Sequence, residues 1–244
     1  MDRLVYTALT GLQRSQESQS VTAHNLANVA TPGFRREMAA LSAGFLTPSG
    51  AALSARVQSG GESPHDLATP GRIQATGNPL DVALDGGAWL AVADAQGGDA
   101  LTRRGDLRIA PDGMLRTGDG RPVLGEDGPV MIAAGFHSLR IGRDGSVETR
   151  PAEDAPYVQV ARLRLVTPQP DTLERGPDGL FRSPDMTADE TATLSSGVLE
   201  QSNVEPAAAL VELVQQSRQF ELQTKLLTTA RDLDEASAAL MRVQ

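Results

Sequence analysis

A chain of 244 residues with 40% apolar residues and a net charge of −9 has material for one large domain or two small ones, and its charge argues against binding nucleic acid by phosphate neutralisation. It has no cysteine, which excludes disulfides, thiol catalysis and cysteine-based metal sites. His24, His65 and His137 are too scattered to suggest a histidine cluster, and no stretch approaches the roughly 20 apolar residues that span a bilayer.

The opening MDRLVYTALTGL carries Asp2 and Arg3 and lacks the continuous apolar core of a secretory signal peptide. The chain is therefore expected to stay in the cytoplasm or to leave by another route. From Asp2 to about Ala30, Leu4, Val5, Ala8, Leu9, Leu12, Ala23, Leu26 and Ala27 recur at threes and fours, which predicts a helix. Gln16 and Gln19 interrupt its apolar stripe. The stretch HNLANVATPGF then places Asn25 and Asn28 on one helical face beside Leu26. Two readings of these amides stand: they cap the last turn, or they form a polar pair that fixes register beside an apolar seam. His24 reads as a polar group at a helix or subunit contact rather than a pH sensor. Pro32 ends the helix, because the residue before proline is pushed out of the α region. Thr31-Pro32-Gly33 fits a type II turn with Gly33 at positive φ, and Phe34 is the expected anchor after it.

Residues 37–67 are rich in Ala, Ser, Gly and Thr and read as an extended connector, with Leu41, Phe45, Leu46, Leu53 and Val57 available for packing. Residues 68–198 read as an antiparallel β domain. Asp-Gly pairs at 85–86, 112–113, 119–120, 127–128, 144–145 and 178–179 separate short alternating runs, with no helical pattern between them. LRIAPDGML and LRIGRDGSV look like one hairpin used twice. In PLDVALDG, Leu80, Val82 and Leu84 share one face and Asp81, Ala83 and Asp85 the other; ARLRLV alternates in the same way. Asp81 and Asp85 suggest either an acid/base pair or, more simply, a solvated strand face. Trp89 reads as a core anchor. No calcium loop, phosphate-binding glycine loop or serine elbow is present, and neither a cofactor nor a metal is expected.

Residues 199–244 form the second helical zone. Asn203 or Glu205 suits the N-cap and Pro206 the first turn. Leu210, Val211, Leu213, Val214 and Phe220 follow, and from Leu222 through Leu226, Leu233 and Leu240 the spacing is a heptad seam interrupted at Thr229. The fold class expected is α+β: terminal helices pairing as a coiled coil around a central antiparallel β domain, with residues 1–36 and 199–244 as the two arms. The burial available within such a two-helix pair barely offsets the entropy of ordering it, so the arms are expected to gain order from neighbouring chains.

NLANVATPGF resembles a signature of the bacterial flagellar rod and hook proteins, and SNVEPAAALVELVQQSRQFE resembles their C-terminal signature with its Arg218-Gln219-Phe220-Glu221 step. The block from Gly77 to Gly125 resembles the β domain of the longer members. Within the family, MDRLVYTALTGL, NPLDVALDGGAWLAV and LERGPDGLFR look most like the proximal-rod members, with the distal-rod members next. His24 and Ala30-Thr31-Pro32 depart from the commoner pattern without breaking the helix–turn logic. The resemblance implies a non-enzymatic subunit of the basal-body rod in the periplasm, exported by the flagellar type III apparatus without a cleaved signal peptide. Its partners would be copies of itself and other rod subunits, with no nucleic acid and no small-molecule substrate. Assembly contacts are then expected at Leu9, Leu12, Asn25, Leu26, Asn28 and Phe34 near the first helix. In the second zone they fall at Asn203, Val204, Leu210, Leu213, Phe220, Leu226, Leu233 and Leu240. A β-rich hydrolase and a carbohydrate- or metal-binding module are the alternatives from other classes.

Overall fold

The predicted first helix is α1, Asp2–Ala27, and it stops in a turn at Asn28–Ala30, just short of Pro32. The computed structural model describes residues 2–38 and 69–241, and among them the side chains of 9–38, 69–169, 171–229, 231 and 232. The connector expected at 37–67 lies outside the described residues apart from Glu37 and Met38. The second helix is α2, Pro206–Met241; Glu205 takes the N-cap position, its carbonyl accepting from Ala209 N–H at 3.0 Å. Proline at the first helical position loses only an N–H that has no partner within the helix. Among the described residues no helix is long and apolar enough to cross a membrane.

The chain divides into two units. One, the helical unit, holds α1, Glu37, Met38 and the chain from Val204 onward; the other, the β unit, holds Ala30–Arg36 and the described chain up to Asn203. The Pro32-Gly33 turn thus belongs with the β unit, and the two units are described separately below.

In the helical unit α1 lies against α2. Gln216 Nε2 on α2 donates to Ser18 Oγ and to Thr22 Oγ1 on α1, each at 3.0 Å, and Thr22 is buried.

The β unit is antiparallel throughout. Its largest sheet holds five strands in the order β12 (Leu165–Val166), β3 (Trp89–Ala93), β4 (Asp99–Thr102), β14 (Phe181–Arg182) and β13 (Glu174–Arg175). A second sheet orders β11 (Val158–Arg162), β10 (Ser146–Arg150) and β9 (Ser138–Ile141). Four two-stranded pairs complete it: β1 (Ile73–Ala75) with β16 (Val198–Glu200), β2 (Val82–Leu84) with β15 (Leu194–Ser196), β5 (Leu107–Ile109) with β6 (Leu115–Thr117), and β7 (Leu124–Gly125) with β8 (Gly128–Pro129).

The repeated hairpin is real. Ala110 N–H donates to Met114 O and Gly113 N–H to Ala110 O, both at 2.9 Å; Gly142, Ser146 and Gly145 repeat the pattern at 2.8 and 3.0 Å. Gly113 and Gly145 sit at φ 79° and 80°, the left-handed position that closes such a loop as a bulge. Aspartate precedes each glycine, and its carboxylate accepts the N–H two residues on.

The core has two parts. The larger gathers Val82, Leu84, Leu90, Val92, Leu107, Leu115, Val123, Val147, Leu163, Leu165 and Leu194; the smaller surrounds Trp89, whose ring centroid lies 4.7 Å from that of Phe181. Trp89 is the anchor its sequence position suggested. ARLRLV alternates as read, with Leu163 and Leu165 buried and Arg162 and Arg164 half-exposed.

The PLDVALDG strand does not behave as a half-solvated one. Asp81, Val82, Ala83 and Leu84 are all buried, so the strand is covered on both faces, with β16 among the segments against it. The solvated-face reading of Asp81 is therefore corrected. Its Oδ1 accepts from Asn78 Nδ2 at 3.0 Å, and its N–H and carbonyl close onto Asn78 O and Gly197 N–H.

Candidate assembly surface

In the helical unit, apolar side chains that a monomer would bury stand in the open. Leu210, Val211, Val214, Leu222 and Leu226 on α2 are 50–70% exposed, and Leu9 on α1 is 45% exposed. A helix whose apolar residues are this exposed has surface left over for another chain. Leu12, Leu26, Leu213 and Phe220 are half-buried, and Val204 is buried. Leu233 and Leu240 belong to α2, but their side chains lie outside the described set.

The amides that end α1 have partners within the chain. Asn25 is buried: its Nδ2 donates to Glu37 O at 2.7 Å and its Oδ1 accepts from Glu37 N–H at 2.8 Å. The side chain thus ties the end of the helix to the backbone at Glu37. Asn28 caps the helix, its Nδ2 donating to His24 O at 3.0 Å. His24 in turn has Nε2 3.8 Å from the Glu37 carboxylate.

In the β unit the turn docks rather than projects. Phe34 N–H donates to Thr31 O at 3.3 Å across Pro32-Gly33, the expected type II pattern, with Gly33 at φ 68°. Gly33 N–H donates to Glu200 O at 2.7 Å, and a Cβ on Gly33 would meet Arg103 O at 2.2 Å. Only glycine fits that approach. Phe34 lies under the Arg175 guanidinium at 4.9 Å, and Asn203 fastens the same segment: its Oδ1 accepts from Arg36 N–H at 2.6 Å and its Nδ2 donates to Thr69 O at 3.1 Å.

Behind the turn lies a buried ionic knot that sequence reasoning missed. Glu200 is 2% exposed. Its Oε1 accepts from Arg35 Nη2 at 2.7 Å and from Gly71 N–H at 2.8 Å, and its Oε2 accepts from Arg103 Nη2 at 2.7 Å and Nε at 3.0 Å. Arg35 also donates to Thr69 O. Arg103 donates to three further carbonyls, Leu84 at 2.8 Å, Gly86 at 3.0 Å and Ala88 at 2.6 Å. Burial pulls the Arg35 guanidinium down to about 10, with Glu200 opposing and Arg103 reinforcing that shift; it stays charged at neutral pH. The one available signal was a charge set in otherwise apolar runs, as in GVLEQ and ALTRRG, which does not reveal its distant partner.

The aspartates proposed for acid/base work have structural partners. Asp85 accepts from Thr193 Oγ1 at 3.0 Å and lies 3.5 Å from Ser195 Oγ, while Asp81 is closed off beneath Asn78. Among the described residues no cluster of three or more carboxylate or imidazole groups is arranged to hold a metal ion.

Three segments of the chain match known families. Residues 5–35 match the flagella basal body rod protein family, residues 83–149 the flagellar hook protein FlgE/F/G D1 domain, and residues 195–240 the C-terminal domain of the flagellar basal body rod FlgEFG proteins. The flagellar basal-body rod protein FlgF of Escherichia coli is 38% identical over 243 residues, covering 95% of each chain; FlgF of Salmonella typhimurium is 37% identical over 240 residues, covering 94% of each. The chain belongs to the flagellar basal-body rod protein family. The rod protein FlgG of Bacillus subtilis is more distant, 28% identical over 257 residues that cover 96% of this chain and 97% of its own. The rod family is structural rather than enzymatic, which disposes of the hydrolase alternative. Arg35, Arg103 and Glu200 each come from a different one of the three matched segments, so the knot joins all the parts by which the chain belongs to the rod family.

Proposed function

We propose that this chain is a structural subunit of the proximal rod of the bacterial flagellar basal body. Its terminal helices pair as a coiled coil and assemble with copies of itself and with other rod subunits. In this reading the chain reaches the periplasm through the flagellar type III export apparatus without a cleaved signal peptide. The expected contact residues are Leu9, Leu12, Leu210, Leu213, Phe220 and Leu226, continued by Leu233 and Leu240, with Leu26, Phe34 and Val204 also among them. The observation that carries the reading is the run of exposed apolar residues on α2 from Leu210 to Leu226. Each such side chain contributes about 1.5–3 kcal/mol when removed from water, a gain that a neighbouring chain can supply.

The test replaces the chromosomal copy with L222E/L226E. These positions are exposed, so the monomer is expected to fold as before, while recovery of the chain in purified basal bodies falls to background. Incorporation at the unsubstituted level would overturn the proposal.

A further inference from the structure

Among the described residues the β unit leaves four large apolar side chains exposed: Ile73, Met131, Val158 and Val160. Three of them gather around one feature. A groove of about 430 Å³ runs between the β7–β8 hairpin and β11, and Met131 and Val160 line it together with Pro129 and Ala161. Val158 lies on the same strand. β11 is an outer strand: it pairs with β10, and its other edge meets no strand over residues 158–161 among the described residues. The β10–β11 register shifts so that Val147 pairs with Ala161 and Glu148 with Gln159, which leaves Val160 as the extra residue of a bulge. Bulges re-aim side chains, and this one turns Val160 to the groove. Two carboxylates stand on the groove wall. Glu126 is held by Arg162 at 3.6 Å, whereas Asp127 has no ion pair among the described residues.

The fourth side chain, Ile73 at 53% exposure, lies on β1. β1 pairs with β16 and meets no other strand among the described residues, and beside Ile73 stands Arg72, exposed and likewise without an ion pair. Among the described residues, then, one strand edge is open beside an apolar groove and a carboxylate without an ion pair, and another is open beside an exposed apolar side chain and a guanidinium without one.

We infer that β1 of one copy adds to the open edge of β11 in the next, seating Ile73 against Met131 and Val160 with Arg72 meeting Asp127. The inference rests on the rod reading, which supplies the second copy. Main-chain hydrogen bonds along the two edges provide the attraction, and the groove and the charge pair set the register. The two surfaces differ, and in the rod reading the contact runs head-to-tail, each copy giving β1 to one neighbour and receiving at β11 the β1 of another.

The absence of cysteine makes the test direct. A strain carrying I73C/V160C in place of its own copy is grown, and its basal bodies are purified and mildly oxidised. Disulfide-linked dimers and longer ladders of the chain are expected, while I73C alone and V160C alone stay unlinked. Recovery of the chain in basal bodies is scored separately. Recovery at the unsubstituted level without a 73–160 link overturns the inference and leaves the rod reading standing, and a link between two I73C chains overturns it as well. Failure of the unsubstituted chain to enter basal bodies overturns both. A second arm serves if the cysteine variants assemble poorly: R72D and D127R are each expected to lower recovery about fivefold, and R72D/D127R to restore it. Single reversals without effect, or a double variant no better than the singles, overturn the inference.

Discussion

Arg35 Nη2 and Glu200 Oε1 meet at 2.7 Å with both side chains at 3% exposure or less, joining the segment that follows α1 to the strand that leads toward α2. Arg103 holds the other carboxylate oxygen, so one buried anion serves two buried cations. Removing that anion leaves both cations uncompensated, and such losses cost about 3–5 kcal/mol. Glu200→Gln is therefore expected to lower the unfolding midpoint of the β unit sharply in urea, with helix content little changed. A stability within about 1 kcal/mol of the unsubstituted chain would show that the knot is not what holds these segments.

Gly33 and Gly120 separate backbone strain from crowding. Both have positive φ, 68° and 89°, but a Cβ at Gly33 meets Arg103 O at 2.2 Å, whereas one at Gly120 meets nothing within 4 Å. Gly120→Ala is expected to cost about 1 kcal/mol, from conformation alone. Gly33→Ala adds the collision and is expected to cost at least about twice as much. Thermal denaturation of the two variants side by side checks the order.

Asn25 and Asn28 differ in what they hold. Asn25 satisfies both the N–H and the carbonyl of Glu37 from a buried position, so Asn25→Ala leaves those groups without their partner and is expected to cost about 1–3 kcal/mol. Asn28→Ala removes a half-exposed cap that water replaces, at about 0.5–1 kcal/mol. Amide hydrogen exchange at Glu37 reads the difference, with protection lost in the first variant and kept in the second.

Acid sensitivity follows from Arg182, which bridges two turns. Its guanidinium holds the carboxyls of Asp94 and Asp178 below the usual carboxylate range, with Arg182 as the first cause in each case. A carboxylate with a depressed folded-state value binds its proton more readily in the unfolded chain. Its stabilising contribution is therefore complete above about pH 4 and is lost as the pH falls through the lower folded value. The melting temperature is expected to drop as the pH falls below about 4, and Arg182→Met is expected to flatten that drop. An identical pH profile in the variant would remove Arg182 as the cause.

Local chemistry was legible in the sequence. Asp-Gly turns, the twice-used hairpin, the Pro32-Gly33 turn, the end of α1 and the start of α2 depend on residues within a few positions of one another, and the chain states them directly. The misreading of Asp81 arose because alternation reports which residues share a face and says nothing of whether the second face is covered; β16, one of the segments against β2, comes from more than a hundred residues away. The knot was illegible for the same reason. Nothing near Arg35 names Glu200, and a charge that is to be buried looks like one that stays in water until the fold brings its partner to it. The exposed stripe of α2 was legible as apolar spacing, but spacing does not tell an inner contact from an outer one.

Arg103 engages all five of its N–H groups, two with Glu200 and three with the carbonyls of Leu84, Gly86 and Ala88. Lys225 is the only lysine in the chain, a preference that codon usage explains well enough on the surface. It does not explain this position. An ammonium has three donors on one atom and cannot reach four acceptors spread around a planar fork. A lysine would be tolerated at an exposed arginine such as Arg72, which makes no ion pair among the described residues, but at residue 103 the shape of the cation matters as much as its charge.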